Sequence, residues 1–320
     1  LSKEHVRQMS YGRVFRDGFK STGSIGNRLN AKRQRDVPTH VGAVAAVSAG
    51  GFHTCAVRSD GQLVCFGENG SGQCDVPTDL GEVVAVSAGV YHTCAVRSDG
   101  QLVCFGRNSC GQCDVPTDLG AVVGVSAGVS HSCAVRSDGQ LVCFGNNADG
   151  QCDVPTDLGA VAAVSAGFLH TCAVRSAGQL VCFGENGSGQ CDVPTDLGEI
   201  VAVSAGDSHT CALRSDGQLV CFGRNSCGQC DVPTDLGEIV AVSAGDSHTC
   251  AVRSDGQLVC FGWNSCGQCD VPTDLGAVVA VSAGDSHTCA VRSDGQLVCF
   301  GWNYDRQCDV PTDLGAVVAV

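Results

Sequence analysis

Short apolar runs alternate with glycine- and aspartate-containing turns along nearly the whole chain. Residues 83–86, 93–96 and 102–105 form one set of such runs, rich in valine and other β-branched or aromatic residues. No apolar spacing of 3.6 is sustained over a helix length, so the runs predict short strands. The set recurs with a fixed period. His53, His92, His131, His170, His209, His248 and His287 are spaced by 39 residues without an insertion, which defines seven complete copies. Each copy offers three clear strands and a weak fourth around residues 112–115 and their equivalents. Four short antiparallel strands repeated seven times predict an all-β, seven-bladed β-propeller. Asn30, Gln34 and residues 36–38 fall in register with the second half of the unit, and residues 315–320 open a further copy. Residues 1–35 therefore read as a basic leader or a degenerate partial repeat. Residues 36–320 read as the propeller with a partial repeat at its C-terminal end. A composite eighth blade built from the two partial copies is the alternative.

Hairpin geometry assigns two of the three cysteines in each unit. Arg58, Ser59, Asp60, Gly61 and Gln62 suit a three-residue loop with glycine in the left-handed conformation. Counting outward from Arg58 and Gln62, Cys55 falls opposite Cys65 in a pair without mutual hydrogen bonds, where Cα atoms approach to about 4.5 Å. That lies within disulfide reach. The same register pairs Cys94 with Cys104, Cys133 with Cys143, Cys172 with Cys182, Cys211 with Cys221, Cys250 with Cys260 and Cys289 with Cys299. Formation depends on the redox compartment, which the sequence does not name. The third cysteine (Cys74 and its equivalents) reads as a small buried apolar residue. Cys110, Cys227 and Cys266 add a Cys-x-x-Cys spacing, which leaves a local disulfide, a redox pair or half a zinc site as alternatives. No metal or other cofactor is expected, because a zinc site needs four ligands and the other cysteines of the unit are assigned to the hairpin.

The pattern Val-Ser-Ala-Gly-x-x-His-Thr-Cys-Ala-Val, followed by Asp-Gly-Gln-Leu-Val-Cys-Phe-Gly-x-Asn-x-x-Gly-Gln, resembles the regulator-of-chromosome-condensation repeat. The resemblance covers residues 36–320 and implies a seven-bladed propeller. The unit is shorter than is usual in that family, and Cys-Asp follows Gly-Gln where the family has Leu-Gly. The family includes a guanine-nucleotide exchange factor that sits on chromatin, propellers of HECT-type ubiquitin ligases and pure binding modules. Membership alone therefore selects no activity. An exchange factor for a small GTPase and the substrate-binding part of a larger ubiquitin ligase are the alternatives to a binding scaffold. The uninterrupted 39-residue period leaves no obvious room for an exchange factor's wedge, and no HECT segment is present in the sequence.

Charge narrows the partners. The chain carries net charge −14, but residues 1–35 hold nine of the nineteen basic groups against two acids. The remainder has ten arginines against thirty-one acids, net −21, and such a body is repelled by phosphate backbones. The leader's composition also fits a targeting peptide. No stretch approaches the roughly 18 uninterrupted apolar residues of a membrane span. A protein partner is the remaining expectation, with the chain acting as a monomer or as a subunit of a larger assembly.

Cysteine beside histidine invites a nucleophile-and-base reading. Sevenfold copying argues against it, since an enzyme site needs one asymmetric constellation. His53 and its six equivalents are therefore read as structural, with the imidazole bonding backbone in its own Gly-x-x-His turn. If sameness reports folding, difference reports function. The copies differ mainly in the pair before each histidine and in the residue after Phe-Gly, the first and third turns of a meander, which lie on one face. That face gathers Phe52, Tyr91, Trp263, Trp302 and Tyr304, with Arg107, Arg224 and Arg306, and these are the candidate partner-binding residues.

Overall fold

Residues 44–51, 53–58, 60–302 and 308 are described by a computed structural model. Each unit folds into one antiparallel sheet, so the chain forms a seven-bladed β-propeller. In blade 2 the strands are Val83–Ala88, His92–Arg97 and Leu102–Gly106. The other blades repeat this set at 39-residue intervals, from Val44–Ala49 in blade 1 to Leu297–Gly301 in blade 7. First strands of successive blades pack against one another, and each second strand packs against the first strand of the next blade. Among the described residues no helix is long and apolar enough to cross a membrane. The leader and the C-terminal partial repeat lie outside the described residues.

The second hairpin has the expected register. In blade 2 the Arg97 N–H donates to Gln101 O at 2.8 Å, the Gly100 N–H donates to Arg97 O at 2.9 Å, and Gly100 has φ of 83°. The Asp99 carboxylate accepts from the Gln101 N–H at 3.0 Å and pairs with Arg97 at 3.0 Å. Blade 4 has Ala177 in place of this aspartate, and Arg175 instead donates to Asp157 O at 2.8 Å. Cys94 faces Cys104, and all seven predicted disulfides are present, each with Cα atoms 4.1 Å apart.

Each sheet has three strands, where the sequence suggested a weak fourth. Residues 112–115 turn instead, because local acceptors take up the backbone donors. The Cys113 N–H donates to Asn108 Oδ1 at 2.8 Å, Asp114 N–H to Gly111 O at 3.0 Å, and Val115 N–H to Cys113 O at 2.9 Å. Asn108 Nδ2 also donates to Asp114 Oδ1 at 2.6 Å, which closes the turn from both ends. The third cysteine belongs to this turn and is half-buried, not core: the Cys113 thiol donates to Arg107 O at 3.4 Å. Burial, then repulsion from Asp114, pushes that thiol up to about 11, so it stays protonated at neutral pH.

The apolar core lies between blades. Cys94, Val96 and Leu102 of blade 2 pack with Leu119 of the connector and Val122, Val125 and Ala134 of blade 3, and equivalent clusters fill the other junctions between consecutive blades. Blades approach closely at the inner glycine, where a Cβ on Gly167 would lie 2.6 Å from Gly206 O and 2.6 Å from the His170 ring.

The histidines are buried, and their bond differs from the expected one to backbone in their own turn. His131 Nε2 meets Thr171 Oγ1 of the next blade at 3.0 Å, and Thr171 Oγ1 donates to Gln151 O at 2.8 Å. A hydroxyl has one proton. Since Thr171 gives its proton to the carbonyl, His131 must donate through Nε2–H, which fixes a neutral tautomer with Nδ1 as an acceptor. The relay recurs from His53 to His248, with Ser132 replacing threonine against His92 at 2.8 Å. A second bond accompanies it: the Ala166 N–H donates to Ser126 Oγ of the preceding blade at 3.0 Å. At blade 7 the equivalent Ser282 Oγ and His287 Nε2 are buried with no partner among the described residues.

Replacing Thr171 by valine should orphan both the His131 donor and the Gln151 carbonyl and lower stability by roughly 2 to 4 kcal/mol. Serine, already present at 132, should cost about 1 kcal/mol or less; urea denaturation of the two variants compares them directly, and equal losses would refute the relay. The histidines also predict acid sensitivity. Burial holds all seven at about 3 or 4, against 6.5 when exposed. Their folded pKa is depressed, so their contribution is complete above about 6.5 and is lost as pH falls toward the folded values, at up to about 1.4 kcal/mol per histidine per pH unit. Urea midpoints should be flat from pH 8 to 7 and fall steeply by pH 5. A midpoint unchanged at pH 5 contradicts neutral buried histidines.

Candidate interaction face

In blades 2 to 7 both variable positions lie on one face and are joined by a backbone bond. The Arg107 N–H donates to Tyr91 O, Arg224 to Ser208 O, Trp263 to Ser247 O and Trp302 to Ser286 O, each at 2.8 Å. The hairpin turns and connectors occupy the opposite face, where the Ser98 N–H donates to Glu82 O and the Val122 N–H to Gly100 O, both at 2.8 Å.

On the variable face Trp263 and Trp302 are 46% and 37% exposed, on adjacent blades. The Arg107 guanidinium stands over the Tyr91 ring, 5.4 Å from its centroid, and its Nε donates to Ser109 Oγ at 3.0 Å. Arg224 is anchored in the same way, donating to Ser226 Oγ at 3.1 Å. Thus Tyr91 and Arg107 are brought together, and Arg224 stands one blade before Trp263. Phe52, Tyr304 and Arg306 lie outside the described residues.

Sequence reasoning passed over part of this face. Phe168 is 44% exposed, and Asp207, Asp246 and Asp285 follow at the equivalent inner position of blades 5 to 7. Inner positions are tied to the next blade: the Phe168 N–H donates to Gly206 O, Asp207 to Gly245 O and Asp246 to Gly284 O, all at 3.3 Å. Lost solvation at this rim, then the charges of Asp207 and Asp285, push the Asp246 carboxyl up to about 6, while Arg224 opposes the shift. Asp207 is also raised, chiefly by desolvation, with Ser208 donating to its carboxylate at 3.1 Å. The signal was present in the copies as the change from Gly-Phe, Val-Tyr, Val-Ser and Phe-Leu to three Asp-Ser pairs.

Under the outer position of blades 1 to 6 lies a buried glutamine from the same turn. In blades 1 and 4, Glu68 and Glu185 accept from the amides of Gln73 and Gln190, and their second oxygens accept from the N–H of Gly70 at 2.8 Å and Gly187 at 2.6 Å. Asn146 reproduces only half of this, accepting from the Ala148 N–H at 3.0 Å and leaving Gln151 Nε2 without a partner. Gln112, Gln229 and Gln268, beneath Arg107, Arg224 and Trp263, are orphaned in the same way. No group of three or more His, Cys, Asp or Glu side chains placed to hold a metal ion occurs among the described residues.

Comparison with known proteins agrees with this architecture. The regulator of chromosome condensation (RCC1) repeat matches residues 44–73, 83–112, 122–151, 161–190, 200–229, 239–268 and 278–307. No curated protein matches the chain in sequence. Among solved structures, Prp20p from Saccharomyces cerevisiae is similar at 17% identity and a TM-score of 0.71, over 97% of each chain. The CRINKLY WD40 ectodomain of the Arabidopsis thaliana receptor kinase ACR4 is 22% identical with a TM-score of 0.64, over 79% of this chain and 93% of that one. The ectodomain of the Physcomitrella patens receptor kinase CR4 is 24% identical with a TM-score of 0.66, over 78% of this chain and 70% of that one. At these identities the likeness speaks to fold.

Substituting Asn146 by glutamate should supply the missing acceptor to Gln151 and stabilise the protein by about 1 kcal/mol. A urea midpoint at or below that of the unaltered chain contradicts the pairing inferred from Glu68 and Glu185.

Proposed function

The chain belongs to the regulator of chromosome condensation (RCC1) repeat family, and from that premise we propose that it is a protein-binding scaffold without chemistry of its own, engaging its partner through the variable face. The observation that carries this reading is the concentration of difference. Blades that share most residues diverge most widely at turn positions on one face, where Phe168, Trp263 and Trp302 are exposed, whereas the opposite face varies between glutamate and alanine at residue 82 and its equivalents and at Ala177. Exposed tryptophan, tyrosine and arginine are the residue types that dominate binding hot spots. Arg107 over Tyr91 adds a pre-ordered pair, which lowers the entropy lost on binding.

The internal chemistry favours binding over catalysis. The cysteine two residues after each histidine is held in a disulfide, so it offers no thiolate. The imidazole Nε2–H is committed to the neighbouring hydroxyl. Protein binding is also what is described for Prp20p, towards Gsp1p and histones, a likeness of fold that lends general support only.

The test is affinity capture from the source organism with the intact chain, a Trp263→Ala/Trp302→Ala double variant, and Asp118→Ala/Asp157→Ala on the opposite face. Recovery of the specific partner should fall about tenfold or more for the tryptophan variant and hold for the other. Loss confined to the opposite-face variant, or equal recovery with all three, contradicts the assignment.

A further inference from the structure

The inner rim of the variable face is divided by chemistry. Going round the blades, the equivalent inner residues Val90, Val129 and Phe168 form an apolar arc, and Asp207, Asp246 and Asp285 form an acidic one. Backbone bonds from Val90, Phe168, Asp207 and Asp246 to the glycine carbonyl of the next blade set these side chains at equivalent points of consecutive blades. The outer position beside the acidic arc is Arg224 in blade 5, whose charge acts on both Asp207 and Asp246. In blades 6 and 7 that position holds Trp263 and Trp302, so an exposed indole replaces the cation beside the carboxylates.

Indole faces attract cations, and so do clustered carboxylates. Side by side they select a cationic side chain over an anionic one. A duplex or single-stranded nucleic acid would bring its phosphates against the same carboxylates. The apolar arc, with Phe168 44% exposed, adds a requirement that a small free cation does not meet. Beyond residue 35 the chain carries ten arginines against thirty-one acids, so the long-range field draws the same kind of partner.

We propose that this rim receives an amphipathic, lysine- or arginine-bearing segment of a partner protein, its cations over Asp246 and Asp285 between Trp263 and Trp302 and its apolar side chains along Val90, Val129 and Phe168. This rests on the variable face being the binding face, and names the chemistry of what it binds. Crowding among the carboxylates agrees with the assignment, because a ligand cation relieves the repulsion that Asp246 feels from Asp207 and Asp285.

The experiment is fluorescence anisotropy with three fluorescein-labelled peptides of alternating composition, Leu/Lys, Leu/Gln and Leu/Glu, at 150 mM salt. The full chain should bind the Leu/Lys peptide at least about tenfold more tightly than either other. Asp246→Asn/Asp285→Asn should cost about tenfold, and Trp263→Ala/Trp302→Ala a comparable loss. Asp118→Asn/Asp157→Asn removes the same charge from the opposite face and should change binding less than about twofold. Urea midpoints of all variants establish that each is folded. Equal losses for the two aspartate pairs mean attraction to bulk charge and overturn the proposal, as does displacement of the peptide by spermine alone at equal charge concentration. Tight binding of Leu/Gln or Leu/Glu that disappears in the tryptophan variant overturns the basic-segment assignment while leaving the face as a binding surface. No binding of any peptide, with capture of a natural partner still lost in the tryptophan variant, has the same meaning.

Discussion

A single hydroxyl proton fixes the seam between blades. Thr171 gives its proton to Gln151 O, so His131 must donate to the same oxygen, and one residue thereby holds two neighbouring blades and a turn. Every partner in the relay is buried, where an unmade bond costs about 1 to 3 kcal/mol. Glycine at the inner turn and alanine after the serine follow from the same close approach. These requirements recur at each seam, which is why the residues recur.

The sheet hairpins were legible in the sequence because strand register is arithmetic. Once Arg97 and Gln101 flank a three-residue loop, period two dictates that Cys94 faces Cys104, and no information from other blades is needed. The histidine's partner was not legible. Its acceptor lies forty residues away across a seam whose geometry appears only when the blades stack. The supposed fourth strand misled for a related reason. Residues 112–115 carry strand-like spacing, yet Asn108 and Asp114 bond to each other and to the turn backbone, and a local amide clamp outweighs propensity.

The face was legible only in part. Trp263, Trp302, Tyr91 and Arg107 announce themselves by residue type, and the one-face arrangement follows from strand parity. Phe168 and the aspartate arc do not, because an aspartate before a serine in a turn reads as a turn residue. Their meaning comes from being neighbours around the rim, and that adjacency is set by bonds such as those from the Phe168, Asp207 and Asp246 N–H groups to the next blade's glycine carbonyl.

Those same bonds connect stability to recognition. The inner and outer variable residues are anchored through their backbones, by Asp246 N–H to Gly284 O and Trp263 N–H to Ser247 O, so either side chain can change without disturbing the seam. Side-chain identity is constrained where the relay and the disulfide sit, and is freer at the inner rim. The outer rim position carries a cost of its own, because arginine or tryptophan there leaves the glutamine beneath without the acceptor that Glu68 and Glu185 supply. The tryptophan of blade 6 is therefore an alteration that the scaffold bears at the expense of one buried hydrogen bond. On the proposed reading, asymmetry on a face built from nearly identical blades would give a partner one orientation in which to bind.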